Sequence, residues 1–171
     1  MKRKLLKSIL CSLLVVALLA APMSALAASK VAYILKVDVG SSKLANVHAG
    51  SALRGGNGDS TIIGTLKNGT KVLYWGEKSG QMLKIMASNG KTGYIYQGSL
   101  KTYGAMSRKQ IYLAKSSTNM YKKSGSSLKK SGSISKGSPV FVYKVSGNWV
   151  LVKNMSGSSG YVKSSTLKKA F

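Results

Sequence analysis

Residues 62–73 read IIGTLKNGTKVL, and this stretch decides how the rest of the chain is read. An apolar pair, Ile62 and Ile63, leads through Gly64 to Lys67-Asn68-Gly69, after which Thr70 to Leu73 is again rich in β-formers. Asn-Gly between two such runs is a strong hairpin signal, because both residues tolerate the positive φ of a tight turn. The sequence therefore predicts a β-hairpin here. The stretch also returns in altered form. Gly132 to Val140 (GSISKGSPV) aligns without gaps to Gly64 to Val72 (GTLKNGTKV) at an offset of 68. Gly147 to Val152 follows Gly80 to Ile85 at 67, and Gly160-Tyr161-Val162 with Leu167 follows Gly93-Tyr94-Ile95 with Leu100 at 67.

A shared order of turns and apolar pairs marks two copies of one unit. Each copy has short β-rich runs with turn signals about every ten residues, and no stretch after the first 27 residues has helical apolar periodicity. The expected fold class is all-β, two small barrels in tandem. The organisation read from the sequence is a leader over 1–27, a first domain over 28–101, a connector over 102–110 and a second domain over 111–171. Units of about 65 residues sit near the lower limit for an autonomous core, so the two are expected to lean on each other. Within the first, Val31 to Val39 reads as a strand and 49–61, rich in Gly and Ser, as a long loop. The two-residue period puts Leu73 and Trp75 on one face of their strand and Val72 and Tyr74 on the other, with Leu83 and Ile85 inward on the next. In the second, Lys122 to Lys130 reads as a Lys/Ser/Gly-rich loop.

The leader has the three parts of a secretory signal. Lys2, Arg3, Lys4 and Lys7 precede the apolar core Ile9 to Ala21, and Ala25-Leu26-Ala27 is a small-x-small cleavage site. The apolar run falls short of the roughly 20 residues that a spanning helix needs. Cys11 is the chain's one cysteine and lies in this leader, so disulfide scaffolds, thiol nucleophiles and cysteine-ligated metals are excluded from the exported part. The whole chain carries a formal charge of +24. Without the leader, 23 basic residues face three acids, Asp38, Asp59 and Glu77, leaving a formal charge near +20 that is almost all lysine. A field of that sign gathers polyanions and weakens with salt.

The repeated motifs resemble bacterial SH3-like (SH3b) repeats. The first copy carries Asn46-Val47-His48-Ala49-Gly50-Ser51, Ile63 to Val72, Asn89-Gly90-Lys91-Thr92-Gly93-Tyr94-Ile95 and Leu100 in that family's order. The second carries Thr118-Asn119-Met120, Gly132 to Val140, Gly147-Asn148-Trp149, Gly160-Tyr161-Val162 and Leu167. His48 stands where the family usually has arginine, and Leu53-Arg54-Gly55-Gly56 is an alternative alignment of the same motif. Met82 replaces the tryptophan that the second copy keeps as Trp149. Tyr121-Lys122-Lys123-Ser124-Gly125 is the nearest counterpart of the arginine motif in the second copy. The resemblance implies SH3-like barrels and binding to peptidoglycan.

Catalysis has little to draw on. There is one histidine, His48, and the three acids are scattered without a short fixed spacing. No Gly-x-Ser-x-Gly elbow with Asp and His partners is present, and zinc needs more ligands than one His and three acids supply. A non-enzyme without cofactor or metal is expected. Binding is better supplied. Nine tyrosines and two tryptophans offer flat faces for sugar rings, and lysines offer point charges for phosphates or carboxylates. The candidate ligand-binding residues are His48, Arg54, Tyr96, Tyr121, Lys122, Lys123 and Trp149. Trp75, Trp149, Tyr94 and Tyr161 are open to both a core and a ligand reading. The expected partner is peptidoglycan or an anionic wall polymer, outside a bacterial cytoplasm. The rival is a module that binds another exported protein. Nucleic acid is disfavoured, because sequence readout favours arginine and the exported chain has only Arg54 and Arg108.

Overall fold

The computed structural model describes residues 31–50 and 61–171. Residues 1–27, which the sequence reads as a leader, and Arg54 lie outside the described residues. The first sheet holds β1 (Val31–Val37), β2 (Leu44–His48), β3 (Ile62–Lys67), β4 (Lys71–Ser79), β5 (Met82–Met86), β6 (Thr92–Tyr96) and β7 (Leu100–Ser107). The second holds β8 (Ile111–Ala114), β9 (Thr118–Ser124), β10 (Ser127–Ile134), β11 (Pro139–Ser146), β12 (Trp149–Asn154), β13 (Ser159–Lys163) and β14 (Leu167–Lys169). Strand order is β3-β2-β6-β5-β4-β1-β7 in one and β10-β9-β13-β12-β11-β8-β14 in the other, all antiparallel. Adding seven to each strand number turns the first order into the second. The duplication read from the sequence is therefore a duplication of topology.

Turn hydrogen bonds repeat as well. Gly69 N–H donates to Val37 O and Gly137 N–H to Ala114 O, both at 2.8 Å. Asp38 N–H to Ser99 O has its counterpart in Lys115 N–H to Thr166 O, and Gln97 N–H to Gln81 O in Ser164 N–H to Asn148 O. Each sheet rolls on itself. Leu66 of edge strand β3 packs on the same cluster as Leu100 of the opposite edge, β7, around Leu35, Val72, Tyr74, Leu83, Ile85 and Ile95. Ile134 of β10 and Leu167 of β14 likewise share one cluster.

The stretch 62–73 turns but is not a hairpin. β3 pairs with β2, whereas β4 pairs with β1 and β5. Thr70 N–H closes a turn on Lys67 O at 3.0 Å, and within it only Gly69 has positive φ, at 85°. A hairpin turn of type I′ needs positive φ at both central residues, and unprimed turns splay the flanking strands. Here they splay into different parts of the barrel. Lys122 to Lys130 also departs from expectation. It is a strand hairpin, with Lys123 opposite Leu128 and Lys122 opposite Lys129 around the turn at Gly125. Backbone pairing outweighs the weak strand preference of Lys and Ser. Residues 102–107, read as connector, belong to β7 and pair with β1; a 3-10 turn at Arg108–Gln110 then leads to β8.

Both faces of β4 are covered. Val72 and Tyr74 point into the first barrel, while Leu73 and Trp75 pack with Ala32, Met86, Ile111, Phe141 and Met155 in a cluster shared by the two barrels. Trp75 Nε1–H donates to Glu77 Oε1 at 3.0 Å. Arg108 Nη2–H donates to Trp75 O, and its guanidinium lies 5.4 Å from the Phe171 ring. At Gly90 (φ 82°) an added Cβ would come within 2.3 Å of Gly137 O. Gly137 (φ 81°) faces the contact more loosely, with nothing nearer than 4.0 Å. Both alanine variants incur the positive-φ cost of about 1–2 kcal/mol. Gly90→Ala must also push the barrels apart. Thermal unfolding is expected to place Gly90→Ala clearly below Gly137→Ala, and equal midpoints would deny the contact.

Tyr74 is fully buried, its hydroxyl without a hydrogen-bond partner among the described residues, and burial pushes its phenol above the usual value. An unsatisfied buried hydroxyl costs about 1–3 kcal/mol. Tyr74→Phe is therefore expected to raise the free energy of unfolding by about 1 kcal/mol in denaturant titration. A loss of stability would show that the hydroxyl is satisfied.

Candidate functional site

In the second barrel the two-residue period sends Met120, Val150, Val152 and Val162 into the core. Their neighbours Tyr121, Trp149, Leu151 and Tyr161 then stand on the outer face of β9, β12 and β13. Register puts Tyr121 directly opposite Tyr161, and Leu151 opposite Tyr161 on the other side. Gly160 permits this closeness, because a Cβ there would fall 2.4 Å from Met120 Cγ and 2.8 Å from Tyr121 O. The Tyr121 and Trp149 rings meet edge to face, with centroids 5.6 Å apart and planes at 83°. Beside them lies a depression of about 310 Å³ floored by Trp149, Tyr161 and Leu128 and rimmed by Lys123, Lys144 and serines of the β9–β10 hairpin and β11. Trp149, Tyr121 and Tyr161 are all half-buried: held, yet presenting part of each ring.

The first barrel has the same positions with different residues. His48 lies opposite Tyr94 as Tyr121 lies opposite Tyr161. Gly93 approaches Val47 as Gly160 approaches Met120, so Asn46-Val47-His48 corresponds to Asn119-Met120-Tyr121. Met82, where the second barrel has Trp149, is only 1% exposed. His48 and Tyr96 line a larger depression of about 640 Å³ together with Asp38, Leu44 and Asn46. Tyr96 is 45% exposed. This larger depression suits an anion less well, since Asp38 stands in its wall.

Charge separates the barrels further. Asp38 pairs with Lys101, and the hydrogen bond from Lys101 holds its carboxyl below the usual carboxylate range. Glu77 pairs with Lys84 at 2.7 Å and is lowered chiefly by that bond, then by the one from Trp75. By their turn hydrogen bonds Asp38 corresponds to Lys115, and by the repeat alignment Glu77 corresponds to Val145. Residues 111–171 contain eleven lysines and no acid.

Of the sequence candidates, the structure gathers Tyr121, Lys123 and Trp149 at one site and His48 with Tyr96 at another. Lys122 faces away from Trp149, opposite Lys129 on the other side of the hairpin. Arg54 lies outside the described residues. Lys144 and Leu128 were not foreseen, because the hairpin that presents Leu128 reads as loop. Tyr161 is open to a core or a ligand reading from sequence alone; counting outward from the core residue Val162 places it on the outer face.

The sequence profile described as the bacterial SH3 domain matches residues 116–168. The second barrel is thus similar to the bacterial SH3 domain over most of its length. The match runs from the start of β9 into β14, so it contains the whole aromatic depression. The first barrel, which that profile does not match, repeats the strand order of the second throughout. No curated protein matches the chain. Among solved structures, NlpC2 of Trichomonas vaginalis aligns over 82% of this chain and 49% of its own, at 11% identity and a TM-score of 0.35. NlpC1 of the same organism aligns over 80% and 45%, at 14% identity and 0.35. This chain thus spans about half the length of each.

Proposed function

We propose that the protein is an exported, non-catalytic module of the bacterial cell envelope that binds anionic wall polymer through its second barrel. The supporting observation is the depression floored by Trp149 and Tyr161 and rimmed by Lys123 and Lys144, in a barrel without a single acid. Flat aromatic faces stack on sugar rings, and lysines meet phosphate or carboxylate as point charges. Wall glycans with acidic substituents present both features. Among the described residues no three His, Cys, Asp or Glu side chains group as metal ligands, and no helix is long and apolar enough to cross a membrane.

Sedimentation with isolated cell walls tests the reading. The leaderless protein is expected to co-sediment at low salt and to release progressively as salt rises. Absence from the pellet at low salt would overturn the reading. Retention on walls stripped of phosphate polymers would assign recognition to the glycan and its peptides; release would assign it to charge.

A second reading, a module for another exported protein, draws on the edge of the first barrel. Ile62, Ile63 and Leu44 are each about half exposed there on β3 and its neighbour β2. Exposed apolar edges accept added strands. Recovery of one stoichiometric partner from the secreted fraction, lost on Ile63→Lys, would favour it.

A further inference from the structure

A second basic cluster lies where the barrels meet, apart from the aromatic depression. Register places Lys36 of β1 directly opposite Lys71 of β4 on one side and Lys101 of β7 on the other. Directly opposed residues have Cβ atoms about 5 Å apart, and like charges so placed repel. Three lysines in a row across neighbouring strands is unfavourable unless something negative lies over them. Asp38 engages Lys101, and the other ion pair among the described residues is Lys84–Glu77. Asp38 also acts on Lys36 through charge, but neither acid forms an ion pair with Lys36 or Lys71.

Further groups converge on the same spot. The Lys71 ammonium sits 4.0 Å above the ring centroid of the exposed Tyr103. The Tyr103 phenol is held below its usual value, first by hydrogen bonding with Lys71, then by the charge of Lys71, with smaller effects from Lys153 and Lys36. Lys153 belongs to β12, so charge from the second barrel also acts on this tyrosine. The adjoining groove, about 290 Å³, is walled by Thr70, Lys71 and Ser88 of the first barrel and by Met155 and Ser156 of the second.

We propose that this groove is a second binding site, taking a phosphate group of a phosphate-bearing polymer on Lys71, with Lys36 and Lys153 adding their charge from outside its walls. It has no aromatic floor and acts through point charges and hydroxyls. It exists only while the barrels are docked, so a bound phosphate stabilises the docked pair by mass action. The proposal relies on the wall-binding reading only for the identity of the polymer; the site itself requires only phosphate.

Inorganic tripolyphosphate is the probe, because it carries phosphate and nothing to stack on Trp149. Isothermal titration of the whole leaderless protein is expected to show binding that weakens about three- to tenfold in Lys71→Ala and in Lys153→Ala, each lowering the salt slope by about one. Lys168→Ala, on β14, should remain within about twofold of wild type, the range of surface changes that touch no site. Tripolyphosphate should also raise the unfolding midpoint of wild type more than that of either seam variant. Without phosphate, Lys36→Gln should unfold at a higher temperature than wild type, because it relieves the repulsion.

Equal effects of Lys71→Ala, Lys153→Ala and Lys168→Ala would reduce the cluster to diffuse attraction and overturn the proposal. An effect of Lys71→Ala alone would overturn the shared site. Wall binding lost while tripolyphosphate binding persists would sink the reading of the aromatic depression and leave this site standing. The reverse result would remove this site alone.

Discussion

Trp75→Ala is expected to lower the free energy of unfolding by about 3 kcal/mol or more, as large-to-small changes of buried aromatics do. Trp75 is 8% exposed, and what buries it is the cluster shared by the two barrels, with the Arg108 guanidinium on its carbonyl. The loss should therefore appear in both barrels. In urea, wild type should unfold in one transition seen equally by near-ultraviolet and far-ultraviolet circular dichroism. Trp75→Ala should bring the midpoint down and begin to separate the barrels. If the barrels were independent beads on a string, the same substitution would expose a surface ring at a cost under about 1 kcal/mol. Such a small loss would contradict the shared core, and with it the seam site that depends on docking.

Trp149→Ala is expected to act on binding instead. Its ring is half-buried and meets Tyr121 edge to face beside the lysine-rimmed depression. An aromatic stacking platform is worth about 1–3 kcal/mol per ring, so affinity for solubilised wall polymer should fall roughly ten- to a hundredfold. Trp149→Phe should recover part of it. Lys123→Ala should weaken binding less and flatten its salt dependence, since a rim charge mainly adds attraction through solvent. Met82→Ala, at the corresponding position of the first barrel, removes a buried side chain and should cost stability while leaving the affinity of the folded protein near wild type. That contrast separates the platform from the scaffold. Affinity unchanged in Trp149→Ala would move recognition elsewhere on the molecule.

Much of the fold was legible because turns and apolar pairs repeat in register. Gly69 and Gly137, or Tyr94 and Tyr161, occupy matching places in identical strand orders. The charge after residue 27 was legible too, and with it the absence of acids after residue 77. The turn at Asn68-Gly69 misled because Asn-Gly identifies a turn, whereas the φ values of both central residues decide whether the strands stay paired. Asn68 keeps negative φ and the strands part. The hairpin over Lys122–Lys130 was hidden by residues with weak strand preference, although cross-strand pairing fixes it in the folded chain.

The shared core was partly hidden for another reason. Alternation assigns one strand face to solvent by default, yet Val72-Leu73-Tyr74-Trp75 is apolar at every position. Such a run belongs to a strand covered on both faces. The site was divided in the same way. Trp149 and Lys123 could be named from residue type, but Tyr121 became equivalent to His48 only through register with the paired tyrosines. Lys144 and the seam lysines required the three-dimensional arrangement.

The central claim is that wall polymer lies against Trp149. Tryptophan emission reads this directly, since Trp75 is buried in the shared core and gives a constant background. Adding solubilised wall polymer to the leaderless protein at low salt should shift the Trp149 emission saturably and shield it from acrylamide. Sedimentation with walls that leaves both the emission and the quenching of Trp149 unchanged would contradict the account.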